Sequence, residues 1–370
     1  MSEFPVATTS APGVMAVDWE NRVDFERLRQ YRLERVRMML ERYDLGAVLL
    51  FETSNIRYAT ATQIGYWAFN KGERWALITR NERPKVWDFG SAAKAHRLQL
   101  PHLYDEQNSI GGNTGLQGAI GPETGLHARA VREIKSPDEL VLLTQACAMV
   151  DGVYQDIFEM LKPGVRESDV VGMAHARLFG MGSEFVEAIN SIAGERCSPH
   201  PHVFSDRLIR PGDQAYFDII HVFNGYRTCY YRTFVVGRAS QAQRDAFKQS
   251  REWMDAAIDL VRPGATTDQI AKVWPRAEEF GFADEMDAFG LQFGHGVGVG
   301  LHERPIISRL SSLETPEEIQ EGMLFALETY APAADGRSAA RIEEELIVTA
   351  DGCKVITLFP CEELMVANEY

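Results

Sequence analysis

The sequence predicts a two-domain α/β protein: an N-terminal α/β cap, then a C-terminal α+β domain built as an internal repeat with pseudo-two-fold symmetry. Three observations predict it. Helix-like and strand-like stretches alternate from 22 to 125, long amphipathic helices followed by strands run from 131 to 370, and this second part shows the same order of motifs twice. A chain of 370 residues, 45% apolar and 25% charged, is long enough for two domains or one large one, with a full core. With 53 acids against 38 bases the net charge is −15, and no basic stripe offsets it, so a nucleic-acid partner is not expected. No apolar run approaches the roughly 18 residues that span a bilayer, and "MSEFPVATTSAPGVM" lacks the basic start and apolar stretch of an export signal. A cytoplasmic protein without a membrane partner is expected. The five cysteines form no C-x-x-C pair and read as free thiols.

Taken in order, residues 1–21 are rich in Ser, Thr, Ala and Pro and read as a flexible lead. "VDFERLRQYRLERVRMMLERYD" places Phe25, Leu28, Val36, Met39 and Leu40 on one helical face. "GAVLLF", 46 to 51, reads as a buried strand, with "RWALITR" and "PKVWDFG" as its neighbours. The cap therefore spans 22–125, and the Gly-rich stretch 108–125 holds the boundary. Ser136-Pro137-Asp138-Glu139 then opens a helix, with a capping serine, proline in the first turn and acids at the positive end of the dipole.

The repeat is read from Pro163-Gly164 and Pro263-Gly264. Each is followed by a capping-type Ser or Thr and a helix ending at Phe-Gly, Phe179-Gly180 and Phe280-Gly281. Farther on, "IRPGDQAYFD" aligns with "IQEGMLFALE", which sets Asp218 opposite Glu328 and His202 opposite His302. Two such halves would enclose one cleft with both acids inside it. An acid that ends an apolar strand carries a steep desolvation cost unless a cation or donor compensates it. Asp218, Glu328 and Glu343 all have that setting. Strand alternation puts Glu343 and Glu345 on one face and Glu344 on the other. In "YFDIIHVFNGYRTCYYRTF" any even register across Asn224-Gly225 keeps Cys229 on the face of Asp218. Adding a histidine from "GHGVGVGLHERP" gives carboxylates, an imidazole and a thiol in one cleft. Carboxylate and imidazole suit Mn, Fe or Zn, and a thiolate favours Zn or Fe. Two readings of Cys229 stand side by side, a ligand and a small buried hydrophobe. Likewise Glu344 and Glu345 read either as part of the cleft or as a solvated strand edge.

The order Asp218, Gly225-Tyr226, Arg232-Thr233-Phe234, Gly294-His295-Gly296, His302-Glu303-x-Pro305, Glu328 and Arg341-Ile342-Glu343 resembles the creatinase/aminopeptidase P superfamily with the pita-bread fold. "REIKSPDE" and "LKPGVRE" are similar to its helical signatures, and the first domain is similar to the creatinase-type cap. The resemblance implies five metal positions: Asp218, Cys229, His295, Glu328 and Glu343. Four match the peptidase pattern, while Cys229 stands where the peptidases have a bridging aspartate and Ile220 where they have a space-giving glycine. It also implies a substrate-contacting His302, a substrate-binding Arg341 and an acid/base histidine at His200 or His202. A homodimer is implied, since relatives build the cleft with the partner's cap.

"NIRYAT" followed by Tyr66, Trp67 and Phe69 is similar to the cap of the superfamily's dimethylsulfoniopropionate lyases. These aromatics read either as the small core of the cap or as a cage for a sulfonium or quaternary ammonium group. The reading placed first is an enzyme acting by hydrolysis or β-elimination on a small non-peptide, zwitterionic or cationic substrate. Its cofactor is a divalent metal, Zn or Fe at a mononuclear site, with a metal-free creatinase-like site as the other form. A metal-dependent Xaa-Pro dipeptidase, with Mn, is the alternative. A non-catalytic binding module is the third reading.

Overall fold

The computed structural model describes residues 25–62, 64, 74–112, 133–280, 282–286 and 293–370. The lead and the aromatics Tyr66, Trp67 and Phe69 lie outside the described residues. The cap contains α1 (Phe25–Arg42), β1 (Ala47–Leu50), α2 (Thr53–Thr60), β2 (Trp75–Thr79), β3 (Lys85–Phe89), α3 (Gly90–Gln99) and β4 (Ser109–Gly112). The four strands form one sheet in chain order, with β3 and β4 parallel. Leu33, Val36 and Leu40 of α1 seat on Val48, Leu50, Ala59 and Ile78. Two sequence expectations change here. Met39 is 43% exposed, because Leu33 takes its place on the buried stripe. "GAVLLF" is an edge strand rather than a buried one: among the described residues β1 pairs only with β2, and the face opposite α1 leaves Leu49 44% exposed.

The second domain opens with α4 (Pro137–Met160), whose Ser136 cap and Glu139 form the reciprocal box expected from the sequence. It continues through α5 (Glu167–Gly180), β5 (Phe185–Ala193), β6 (Gln214–Phe223) and β7 (Tyr226–Val236). The second half holds α6 (Gln241–Ile258), α7 (Thr267–Ala271), β8 (Gly294–Gly296), β9 (Glu303–Ile307), β10 (Leu324–Glu328), β11 (Ala331–Pro332), β12 (Ala339–Ala340), β13 (Glu343–Val348), β14 (Cys353–Val355) and β15 (Met365–Ala367). Two main sheets result, in the orders β15-β7-β6-β5 and β14-β13-β10-β8-β9, and β11 pairs with β12 in a small two-stranded one. The helices of each half cover its own sheet with a separate apolar core.

The repeat is visible in the backbone. Gly164 N–H donates to Ile209 O and Gly264 N–H to Ile319 O, both at 2.9 Å. The reverse bonds, Ile209 N–H to Val165 O and Ile319 N–H to Ala265 O, are both 2.8 Å. Gly212 and Gly322 take matching positive φ values of 80° and 83°. The equivalent helices differ in length, however. α5 runs to Gly180, whereas α7 stops at Ala271, and 277–280 form only a 3₁₀ turn. Pro275 lacks the N–H that would bond Ala271 O, and its ring clashes with that carbonyl, so the helix cannot reach Phe280. The cap of α5 differs as well: Asp169 reaches back to accept from Arg166 N–H at 2.8 Å, so Ser168 is not the capping residue.

Candidate metal centre

The β6–β7 hairpin turns on two residues with positive φ, Asn224 at 47° and Gly225 at 83°, the geometry of a type I′ turn. Asn tolerates this region and Gly adopts it without strain. The register that follows pairs Ile220 with Cys229 and Asp218 with Tyr231, so the four side chains share one face. On the facing sheet β10 pairs Glu328 with Glu343, and β8 brings His295 beside Ala326.

Three side chains converge between the sheets. Cys229 Sγ lies 3.6 Å from His295 Nε2 and 3.3 Å from Glu343 Oε1, and the latter two atoms are 3.9 Å apart. All three are buried. A tetrahedral ion with bonds of about 2.3 Å to sulfur and about 2.0 Å to nitrogen or oxygen has ligand edges of roughly 3.3–3.6 Å. The trio therefore fits one ion with small adjustments. Burial, then the Glu343 carboxylate, pushes the Cys229 thiol well up. Burial, then Glu328 and Asp218, raises Glu343 likewise. A cluster of buried acids with too few cations has this electrostatic signature, and a divalent ion would relieve it.

The other two expected ligands sit apart from this trio. Glu328 Oε2 accepts from Arg341 Nη2 at 2.5 Å, and the Arg341 guanidinium lies 4.0 Å over the Tyr231 ring. Asp218 Oδ2 accepts from Asn190 Nδ2 at 2.9 Å, while Oδ1 has no hydrogen-bond partner among the described residues. Burial pushes Asp218 up to about 7, with Arg341 opposing and Glu328 adding to the rise.

His200 and His202 ride on the loop after β5. Glu167 closes this loop, accepting from Ala193 N–H and Ser205 N–H, both at 2.8 Å, and pairing with Arg196. Tyr216 OH donates to Cys197 O at 2.8 Å, so it accepts from His200 Nδ1–H at 2.9 Å. His200 Nε2 is then the acceptor facing Tyr231 OH at 3.1 Å. The His200 and His202 rings lie tilted at 59° to each other with centroids 3.8 Å apart, and His302 meets His295 edge-on at 4.4 Å. Burial holds both His200 and His202 well below the usual histidine value. Each stays neutral in the folded state but takes a proton when unfolded below about pH 6.5. Their contribution is thus full above that value and lost as pH falls, at up to about 1.4 kcal/mol per pH unit per histidine. Denaturation of metal-free protein at pH 7 and 5.5 should show wild type losing stability relative to His202→Gln; an unchanged difference would refute this.

Sequence reasoning missed Asn190, Tyr216, Tyr231 and Glu167, although Glu167 stands inside the "LKPGVRE" signature. Glu344 and Glu345 are both buried, so the solvated-edge reading of either is wrong. Glu344 pairs with Arg232 and Arg251, and Glu345 accepts from Thr228 Oγ1 and Cys229 N–H, both at 2.7 Å.

Residues 141–350 match the model of metallopeptidase family M24, and the chain belongs to that family. It is 26% identical over 360 residues to an uncharacterized peptidase of Bacillus subtilis, YqhT, a match that covers 90% of this chain and 99% of that one. It is 30% identical over 231 residues to an Xaa-Pro dipeptidase of Pyrococcus furiosus, covering 61% of this chain and 64% of that protein, just under two thirds of its length. Among solved structures, dipeptidase PepE from Mycobacterium ulcerans superposes with a TM-score of 0.58 at 22% identity, covering 93% of this chain and 99% of that one. An Xaa-Pro dipeptidase from Bacillus anthracis gives 0.58 at 21%, with 91% and 99% covered. These two likenesses establish the pita-bread fold with its cap. Family membership makes the protein a hydrolase relative of divalent-metal peptidases. Among the described residues no helix is long and apolar enough to cross a membrane.

Proposed function

We propose that the protein is a single-ion metallohydrolase that cleaves short peptides of the Xaa-Pro type. The observation that carries this reading is the buried trio Cys229, His295 and Glu343, whose spacing suits one ion. The dipeptidase names of the relatives favour a peptide over the non-peptide zwitterion that the sequence reading placed first, and favour hydrolysis over elimination. Zn or Fe is the ion of choice, since a thiolate ligand disfavours Mn. Once bound, the ion would polarise the scissile carbonyl and lower the pKa of a water.

The chain's own groups do the rest. Asp218 Oδ1, which has no hydrogen-bond partner among the described residues, is offered as the acceptor that positions the attacking water. His202 and His302 contact substrate, His200 is oriented by its two tyrosines, and Arg341, held by Glu328, offers a charge to the substrate carboxylate. Ile220 supports one ion rather than two: it packs with Ile64, Ala92, Ala188 and Leu301 against Cys229, an aliphatic wall where a second ion would need oxygen donors. Assembly as a homodimer belongs to the same proposal, as the family resemblance implies. Gly-Pro and Leu-Pro should be hydrolysed after loading with Zn(II) or Fe(II), with Mn(II) and Co(II) as comparison. No cleavage of any Xaa-Pro dipeptide under any of these loadings would sink the reading and return attention to betaine, guanidino and sulfonium compounds.

A further inference from the structure

The glycine run "GHGVGVGLHERP" joins two histidines of the site, and its conformation is set from within by a buried ion pair. Lys135 Nζ donates to Glu303 Oε2 at 2.9 Å, with both side chains 1% exposed. The other oxygen, Glu303 Oε1, accepts from Gly300 N–H at 2.8 Å. The chain winds closely round this carboxylate. A Cβ on Gly298 would lie 2.5 Å from Glu303 Oε2 and 3.0 Å from Lys135 Nζ, and one on Gly300 would lie 3.2 Å from Glu303. A side chain at Gly298 would therefore force the buried ion pair to shift, and one at Gly300 would crowd the Glu303 side chain. From the outside Arg227 N–H holds Gly298 O at 2.8 Å, and the Arg227 guanidinium holds Val299 O. Lys135 stands just ahead of α4, where its own N–H bonds Gly322 O at 2.8 Å and Ile134 bridges Met323, the residue before β10.

We propose that Glu303, with Lys135 as its counter-ion, is a positioning residue that fixes the 298–301 turn and so sets His302 beside His295. The glycine run is then a wrapping round a charge rather than a ligand-binding loop. The inference rests on the proposed function only in taking His302 to contact substrate; the fixed turn stands on its own geometry.

The test uses the full zinc-loaded chain carrying Lys135→Met with Glu303→Leu, which removes both charges together so that neither is left buried alone. Amide exchange at Gly298 and Gly300 should become at least about 10-fold faster. The ¹³C-labelled His302 Cε1–H resonance, assigned through His302→Ala, should shift or split while zinc stoichiometry stays the same. Unchanged exchange and an unchanged resonance would overturn the proposal whether or not the protein is a peptidase. With Gly-Pro as substrate, kcat/KM should fall at least about 10-fold, and adding His302→Ala to the double variant should cost little more, because both act through one group. A full additive loss from His302→Ala would overturn it. Failure of wild type to cleave Gly-Pro would refute the proposed function instead, leaving the exchange and resonance results to decide this inference. If the double variant does not fold, Glu303→Asp, which withdraws the carboxylate by one methylene, should show the same faster exchange and Lys135→Arg should not; equal behaviour of the two would contradict the assignment.

Discussion

Replacing His295 with Ala is expected to empty the metal centre while leaving the protein folded. His295 projects from β8, which is held by backbone pairing to β10 on one side and β9 on the other, so the strand does not depend on the imidazole. The site does depend on it. Removing even a partner that merely orients a ligand costs about 10- to 100-fold in metal affinity, so removing the ligand itself should weaken binding by more than about 100-fold. What remains is Cys229 and Glu343 with raised proton affinities and, among the described residues, no third His, Cys, Asp or Glu donor within 4.8 Å to gather them. Metal content after desalting should fall from about one equivalent to background, Xaa-Pro cleavage should vanish with it, and the circular dichroism spectrum should match that of wild type. Retention of a full equivalent by the folded variant would show that the ion sits elsewhere.

The second large effect is expected from Cys229→Asp combined with Ile220→Gly. Cys229→Asp alone restores an oxygen donor but leaves the aliphatic wall of Ile64, Ala92, Ala188, Ile220 and Leu301 in place, and should still bind one ion. Removing Ile220 opens the position directly across the hairpin from residue 229. Two ions should then bind, with Mn(II) taking part because the thiolate is gone. The cost is stability: truncating a buried Ile and placing Gly in a strand together cost about 3–5 kcal/mol. Titration followed by elemental analysis gives the ion count, and a lowered Tm the cost. A double variant that still saturates at one ion would remove Ile220 and Cys229 as the determinants of ion number.

Much of this centre was legible in the sequence because period and symmetry are local properties. The Asn224-Gly225 pair fixes the hairpin, an even register places Cys229 on the face of Asp218, and the shared spacing from Pro163-Gly164 and Pro263-Gly264 marks the repeat. Side-chain competition was not legible. Which carboxylates turn towards Cys229 depends on where Arg341 lies, and Arg341 takes Glu328. His200 and His202 look equivalent in "CSPHPHVF", yet two tyrosine hydroxyls orient the first. Periodicity alone also misjudged the cap strand, since "AVLL" has the same composition at an edge as at a centre. Pro275 was legible and overlooked: it ends the short helix of the second half for a reason the chain states outright.

In the proposed centre one ion is held by a thiolate, an imidazole and a carboxylate. Titration of metal-free protein with Co(II), followed by absorbance, tests it most directly, because a cobalt–thiolate bond adds an intense near-ultraviolet charge-transfer band that oxygen and nitrogen ligands do not. Saturation at one equivalent, with that band present in wild type and absent in Cys229→Ser, is the predicted result. Saturation at two equivalents, or a spectrum that does not change on replacing Cys229, would contradict it.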